Sequence, residues 1–306
     1  MNNVILQTNA LTKTYGHIKA LDAVSIQLME KHIYGFIGKN GAGKSTFMKI
    51  LTGLSYPTNG ELMLMGESSE KGLREARRSV GAMIENPAIF PWYSVRKNVE
   101  LKRKLTGNPD PKVTDHVLEL VDLKSAENRR AGKLSLGMKQ RLGIAMALVG
   151  NPKLLVLDEP INGLDPQNIV ALRNLLKKLN EENDITIFIS SHILNELYLL
   201  ATDYIIINKG RIVENLTHEE LVEKCKKYIC VKTDSVPSAV TVLDKMMSMD
   251  SYKVISDDTI RVFQNSSESE KIAKAFMEAG ITLKELSFKE QTLEEYFMNV
   301  TGGDTL

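Results

Sequence analysis

Nine consecutive residues, Gly38-Lys39-Asn40-Gly41-Ala42-Gly43-Lys44-Ser45-Thr46, constrain the fold of this chain more than any other segment. They follow a short apolar segment, HIYGFIG, and open a stretch of helical period, which predicts a strand, a tight loop and a helix in that order. Glycines at 38, 41 and 43 let successive backbone N–H groups converge on one point at the positive end of the helix, where a Cβ would obstruct them. Such a cradle suits phosphate oxygens. Lys44 is then placed to bridge the outer phosphates and Ser45 to ligate Mg²⁺, with Gly38, Asn40, Gly41, Gly43 and Thr46 completing the nucleotide contacts. A dinucleotide fingerprint, G-x-G-x-x-G, does not fit, because Thr46 stands at the third glycine position.

A loop of this kind needs a carboxylate at the end of a neighbouring strand to hold the metal. KLLVLDEP supplies Asp158 for that role and, one residue on, Glu159 as a base or orienter for an attacking water. The same segment, HIYGFIG and DITIFISS are short and β-rich, as strands buried on both faces must be. Between them, Asp165 to Glu182 has Ile169, Leu172, Leu175, Leu176 and Leu179 at three- and four-residue steps behind Pro166, a helical signature. Strands alternating with helices predict an α/β fold with a mainly parallel sheet. VILQTNAL, VSIQLM and GELMLMGE lack that alternation and predict an antiparallel patch near the N-terminus.

After about residue 225 the order changes. YICVKT predicts a strand, 236 to 249 a Met-rich helix, and YKVIS and TIRVF two strands about an Asp257-Asp258 turn. Ser267 and Glu270 form a capping-box pattern for a further helix with inward residues Ile272, Ala275, Phe276 and Ala279 and a stop at Gly280. ITLKELSF predicts the last strand, and Thr292 with Glu295 caps a last helix. The resulting β-α-β-β-α-β order is that of ferredoxin-like α+β units. Residues 1–225 and 226–306 are therefore read as two domains, in keeping with a 306-residue chain at roughly 150 residues per domain.

Composition excludes several classes. With 39 Lys+Arg against 38 Asp+Glu the formal charge is +1, and 43% hydrophobic with 25% charged residues is ordinary globular usage. No global charge draws the chain to nucleic acid or an anionic membrane. No apolar run approaches the ~18 residues of a spanning helix, and MNNVILQTNALTK has no signal-peptide pattern, so direct membrane insertion is not expected and a cytoplasmic location is. Cys225 and Cys230 read as ordinary reduced thiols.

Leu134-Ser135-Leu136-Gly137-Met138-Lys139-Gln140-Arg141 resembles the signature of ABC-type ATPases, at that family's distance before the Asp158 strand. The resemblance spans about residues 3 to 225. It implies a P-loop ABC ATPase domain with a helical subdomain at about 86–134, binding and hydrolysing ATP with Mg²⁺. Residue by residue, it places Ser135 and Gly137 against the γ-phosphate of a nucleotide held by a second subunit. Asp165 falls in the D-loop, His192 at the switch histidine, and Tyr15 where an aromatic stacks on adenine. Two subunits would close head to tail over ATP, and because every motif here carries a plausible residue, a homodimer with two working sites is expected. Separate transmembrane permease subunits are the implied partners, with the chain peripheral at the inner face of the cell membrane.

The chain departs from the family at Glu85, where most members carry a glutamine that contacts the metal and the attacking water. A carboxylate there adds a negative charge beside Mg²⁺ and the phosphates. Glu85 is accordingly a catalytic and metal-contacting candidate. Together with LSLGMKQRL and the ending TLEEYFMNVTGG, it resembles the ATPases of bacitracin-resistance and lantibiotic-immunity exporters, which implies export of a membrane-active peptide. Trp92, the one tryptophan, lies with Phe90 and Tyr93 in the helical subdomain, either anchoring the membrane partner or packing within the subdomain. Lys102, Arg103, Lys104, Arg129 and Arg130 read as solvated helix faces. Chromosome-type ATPases would need a long coiled coil between Lys44 and Ser135, and a ribosome-associated relative would need two motif sets. A nucleotide-gated regulator without transport is the other reading, which Glu159 and His192, suited to turnover, disfavour.

Overall fold

The computed structural model describes residues 3–225, 227–246, 251–263, 268–290 and 292–302. From the N-terminus the elements are β1 (Val4–Tyr15), β2 (Ile18–Val24), β3 (Gln27–Met29), β4 (Ile33–Ile37), α1 (Lys44–Leu51), β5 (Asn59–Leu64), α2 (Glu70–Ala76) and β6 (Val80–Met83). Then come α3 (Val95–Leu105), α4 (Lys112–Leu120), α5 (Leu136–Leu148), β7 (Leu154–Leu157), α6 (Pro166–Asn183), β8 (Thr186–Ser191), α7 (Leu194–Tyr198), β9 (Asp203–Asn208) and β10 (Arg211–Thr217). The remainder is α8 (His218–Lys224), β11 (Lys227–Thr233), α9 (Val236–Met246), β12 (Tyr252–Ser256), β13 (Thr259–Val262), α10 (Ser269–Glu278), β14 (Leu283–Glu290) and α11 (Leu293–Val300). Two compact units divide between His218 and Glu219.

In the first unit a six-stranded sheet has the order β10-β9-β4-β8-β7-β6. Every pair from β9 to β6 is parallel, and only β10 turns back on β9. The strands β4, β7 and β8 are buried along their whole length, which accounts for their unbroken apolar sequences. A separate antiparallel sheet pairs β1 with β2, β3 and β5. The strand β2, over IKALDAV, has no clean two-residue alternation in sequence because register shifts interrupt its pairing with β1. VSIQLM is correspondingly split between the end of β2 and the short β3.

One apolar cluster joins the two sheets through α1. It includes Ile5, Leu6 and Leu28 from the antiparallel sheet, Phe47 and Met48 from α1, and Phe36 and Phe188 from the parallel one. The rings of Phe36, Phe47 and Phe188 lie 5.1 to 5.8 Å apart. Burying each is worth about 2–3 kcal/mol, so the helix that begins at Lys44 is held from both sides. The helical segment is tied together by Arg96, whose Nη2 donates to Asp115 at 2.5 Å and Glu127 at 2.6 Å, joining α3 to α4 and the turn beyond it. Its basic residues are not uniformly solvated: Arg103 is half-buried and donates to the Asn108 carbonyl at 2.7 Å.

In the second unit the sheet order is β12-β13-β11-β14, antiparallel throughout. With α9 and α10 as the connections, this is the ferredoxin-like arrangement. Ile229, Val231, Ile260 and Val262 pack on Leu243, Ile272 and Phe276. Ala279 is exposed rather than inward, since α10 stops at Glu278 and Ala279 is its C-cap. Gly280 follows with φ 69°, as a helix stop requires. The expected Ser267 cap lies outside the described residues, whereas the Thr292–Glu295 capping box is formed. Cys225 and Cys230 are free thiols. Among the described residues no helix is long and apolar enough to cross a membrane.

Candidate nucleotide-binding site

Backbone conformation at the Gly38–Thr46 loop is one that glycine permits. Gly41 and Gly43 have φ of 80° and 112°. A Cβ on Gly43 would come within 2.5 Å of the Ala20 carbonyl, and one on Gly38 within 2.6 Å of that of Ile207. Gly43 caps α1 with no side-chain hydrogen bond, so the cap leaves the first N–H groups of the helix without a side-chain acceptor, the donors that a phosphate engages. Asn40 and Gly41 are exposed, and Ser45 and Thr46 are half-buried.

Lys44 is 5% exposed, and its ammonium donates to the Gly38 carbonyl at 2.5 Å and the Lys39 carbonyl at 3.3 Å. It also lies 3.2 Å from Glu159 Oε1. The other Glu159 oxygen is 2.8 Å from His192 Nδ1. A carboxylate, an ammonium and an imidazole therefore converge at the mouth of the loop, although they come from β7, α1 and the end of β8. Glu159 has φ 49°, a strained conformation for a side chain with a Cβ, and such strain persists only where surrounding contacts enforce it.

Ser190 is the enforcing residue. Fully buried in β8, its hydroxyl donates to Asp158 Oδ1 at 2.6 Å and accepts the Glu159 N–H at 2.9 Å. Asp158 is 1% exposed, and its own N–H donates to the Met83 carbonyl. One hydroxyl thus holds both the Asp158 carboxylate and the Glu159 backbone. Neither spacing nor residue type singles Ser190 out in sequence, because the link depends on β8 lying beside β7.

Glu85 stands just past β6 with φ 62°, and its Oε1 is 2.6 Å from Lys49 Nζ on α1. That hydrogen bond raises the Lys49 pKa, with a smaller contribution from the charge of Asp158. Lys49 lies four residues beyond Ser45, one helical turn along the same face, which is the signal that could have found it. Tyr15 is 49% exposed at the end of β1, with the Lys13 ammonium 4.9 Å from its ring centre.

The remaining candidates form a second group on α5 and α6. Ser135 caps α5, its hydroxyl accepting the Met138 N–H at 3.3 Å. Asp165 caps α6 and accepts from the Asn168 N–H and side chain, bonds that hold its carboxyl below the usual range. Asn168 connects the two, since a Cβ on Gly137 would fall 2.5 Å from its Oδ1 and Arg141 donates to it at 3.4 Å.

Comparison with known proteins decides the family. Residues 21–162 match the ABC transporter family. The bacitracin transport ATP-binding protein BcrA of Bacillus licheniformis is 39% identical over 304 residues, covering 99% of each chain. The chain belongs to the ABC transporter family. BcrA of Enterococcus faecalis is 35% identical over 98% of this ABC ATPase and 97% of that protein. The lantibiotic transport ATP-binding protein SrtF of Streptococcus pyogenes is 40% identical over 68% and 89%. Among solved structures, cbiO1 of Clostridium perfringens, part of an ABC transporter complex, aligns with TM-score 0.66 and 27% identity over 72% of this chain and 92% of that one. A dimeric post-hydrolysis ATP-binding cassette bound to ADP and Pi aligns with TM-score 0.64 and 27% identity over 70% and 98%. This ABC ATPase is accordingly an ATP-hydrolysing enzyme of the transporter type.

Proposed function

We propose that the chain powers export of a membrane-active peptide antibiotic, as a homodimer bound to separate permease subunits at the inner face of the cell membrane. Support for the peptide class comes from the likeness to bacitracin transport proteins, which extends through the C-terminal unit. Support for turnover rather than regulation alone comes from one observation, the convergence of Glu159 on both Lys44 and His192.

The donor set fits a hard divalent cation beside a triphosphate. Asp158 is a buried carboxylate with one oxygen engaged by Ser190, and the Ser45 hydroxyl opens the adjoining helix. Burying such a carboxylate is costly unless a cation or donors compensate it. Asp158 and Ser45 would hold Mg²⁺, which supplies charge neutralisation across the outer phosphates. Lys44 and the N–H groups at the start of α1 bind phosphate oxygens. Glu159, oriented through Ser190, accepts a proton from or aligns the attacking water. His192, two residues beyond Ser190, donates toward the γ-phosphate edge. Ser135, Gly137 and Asp165 act on the nucleotide of the opposing subunit, and Tyr15 offers its exposed ring to adenine.

The permease-facing surface is assigned to the segment after Glu85. A concavity of about 360 Å³ is lined by Met83, Ile84, Asn86, Pro87, Lys102 and Met146. Beside Pro87 in sequence, Phe90, Trp92 and Tyr93 are exposed yet mutually packed at 5.8 to 6.5 Å. Buried Asn98 pins this segment by binding both the N–H and the carbonyl of Phe90.

The reading is tested by expressing the chain with its co-purifying membrane protein in a bacitracin-sensitive Bacillus host. A several-fold rise in the inhibitory concentration of a cell-wall-directed peptide, lost in Glu159→Gln, is expected. Unchanged sensitivity across bacitracin and lantibiotics, with ATPase activity intact, would overturn the substrate class.

A further inference from the structure

The Lys49–Glu85 pair bridges two elements of the phosphate site, and no motif links the two residues. Lys49 projects from α1 one turn beyond Ser45, and Glu85 stands at the end of β6, two strands from β8 in the sheet. Their charged atoms are 2.6 Å apart, and both side chains are open to solvent, Lys49 37% and Glu85 61%. Glu85 is a solvent-exposed carboxylate on a backbone of positive φ, and the lysine it pairs with stands on the helix that opens with Lys44 and Ser45. Lys44, the other lysine of the loop's helix, is engaged by Glu159. Lys49 is thus the group that fixes where the Glu85 charge sits.

We propose that Lys49 is a positioning residue of the nucleotide site, tethering the Glu85 carboxylate to α1 and so keeping it from turning onto the phosphates. The proposal rests on the nucleotide reading of Lys44 and its loop. An untethered glutamate rotates freely about its side-chain bonds, and a bound triphosphate confines it to positions away from like charge, an ordering cost that a carboxylate already held by Lys49 does not incur. A tethered one remains paired. For an exposed pair the direct contribution to fold stability is small, on the order of 0–1 kcal/mol, so its consequence is expected in ligand binding.

Charge alone would give Lys49→Met the same effect on ATP affinity with Glu85 present or replaced by glutamine, because Coulomb contributions add. A tether predicts otherwise. The test is a double-mutant cycle on the full chain, with Lys49→Met, Glu85→Gln and the pair, measuring displacement of a fluorescent ATP analogue by ATP in EDTA. With Glu85 present, Lys49→Met is expected to weaken metal-free ATP about tenfold. In the Glu85→Gln background the same change is expected to cost about twofold, and Lys49→Arg, which keeps the pair, should stay within twofold of the original protein. Equal losses in both backgrounds, or no loss with Glu85, would overturn the tether. Lys44→Ala serves as the control for the underlying reading: if it leaves ATP binding intact, the assignment of the site fails, independently of how the cycle closes.

Discussion

Replacing Ser190 by alanine removes one oxygen atom and disconnects two acids. The hydroxyl donates to Asp158 at 2.6 Å and accepts the Glu159 N–H at 2.9 Å, within a fully buried strand. A hydrogen bond to a charged group contributes roughly 1.5–3 kcal/mol, and a buried N–H left without an acceptor costs roughly 1–3 kcal/mol. The two losses share one atom and do not simply add, so a destabilisation of about 3 kcal/mol is expected. For a unit of this size each kcal/mol lowers Tm by about 2–4 °C, which places the fall at roughly 6–12 °C in the ATPase-unit transition of a calorimetric scan. Catalysis should fall further than stability implies. Glu159 would relax from its strained φ of 49°, and displacement of a positioned base by an ångström costs up to about a hundredfold. Turnover at saturating ATP should therefore drop about 10- to 100-fold while ATP affinity changes less than about threefold, and Ser190→Thr, which keeps the hydroxyl, should recover most of it. A fall in Tm under about 2 °C with unchanged turnover would refute the role assigned to this hydroxyl.

Phe47→Ala should cost about 3–5 kcal/mol in urea unfolding, since the ring is 1% exposed between Phe36 and Phe188; a loss under about 1 kcal/mol would contradict the account of how α1 is held. Trp92→Ala should leave thermal stability nearly unchanged, the side chain being 65% exposed, but reduce recovery of the protein with permease-containing membranes; undiminished recovery would assign Trp92 to local packing. Hydrogen bonds from Ser287, Lys289 and Lys232 lower the Glu285 carboxyl from 4.5 to about 2. A depressed folded value means that the stabilisation is present above pH 4.5 and is lost as pH falls toward 2. Glu285→Gln should accordingly flatten the acid dependence of C-terminal-unit unfolding in that window, and an unaltered slope would count against the pairing.

Legibility in the sequence followed the range of the physics involved. The strands β4, β7 and β8 and the helix α6 were readable because burial writes itself into local apolar patterns, and Pro166 stands in the first turn of α6 as its place ahead of the apolar repeat indicated. The ferredoxin-like order of the second unit was readable for the same reason. The strand β2 was not, since its register shifts break the alternation that marks a strand. Among the candidate site residues, Lys44, Asp158, Glu159 and His192 stand in motifs whose spacing reflects a local backbone requirement, and the fold brings Glu159 beside both Lys44 and His192. Glu85 was identifiable as a departure, but its pairing with Lys49 was not.

By itself the sequence determined a loop whose backbone suits an anion, because glycine spacing and the helix that follows are properties of a few adjacent residues. Tertiary structure decided which side chains share that anion's surroundings. Ser190 meets Asp158 across 32 positions and Lys49 meets Glu85 across 36. Those distances in the chain close only when β7 and β8 pair in parallel and α1 is pressed between two sheets. The energies involved are those of individual hydrogen bonds and ion pairs, which leave no periodic trace in sequence and exist only once packing has fixed the geometry.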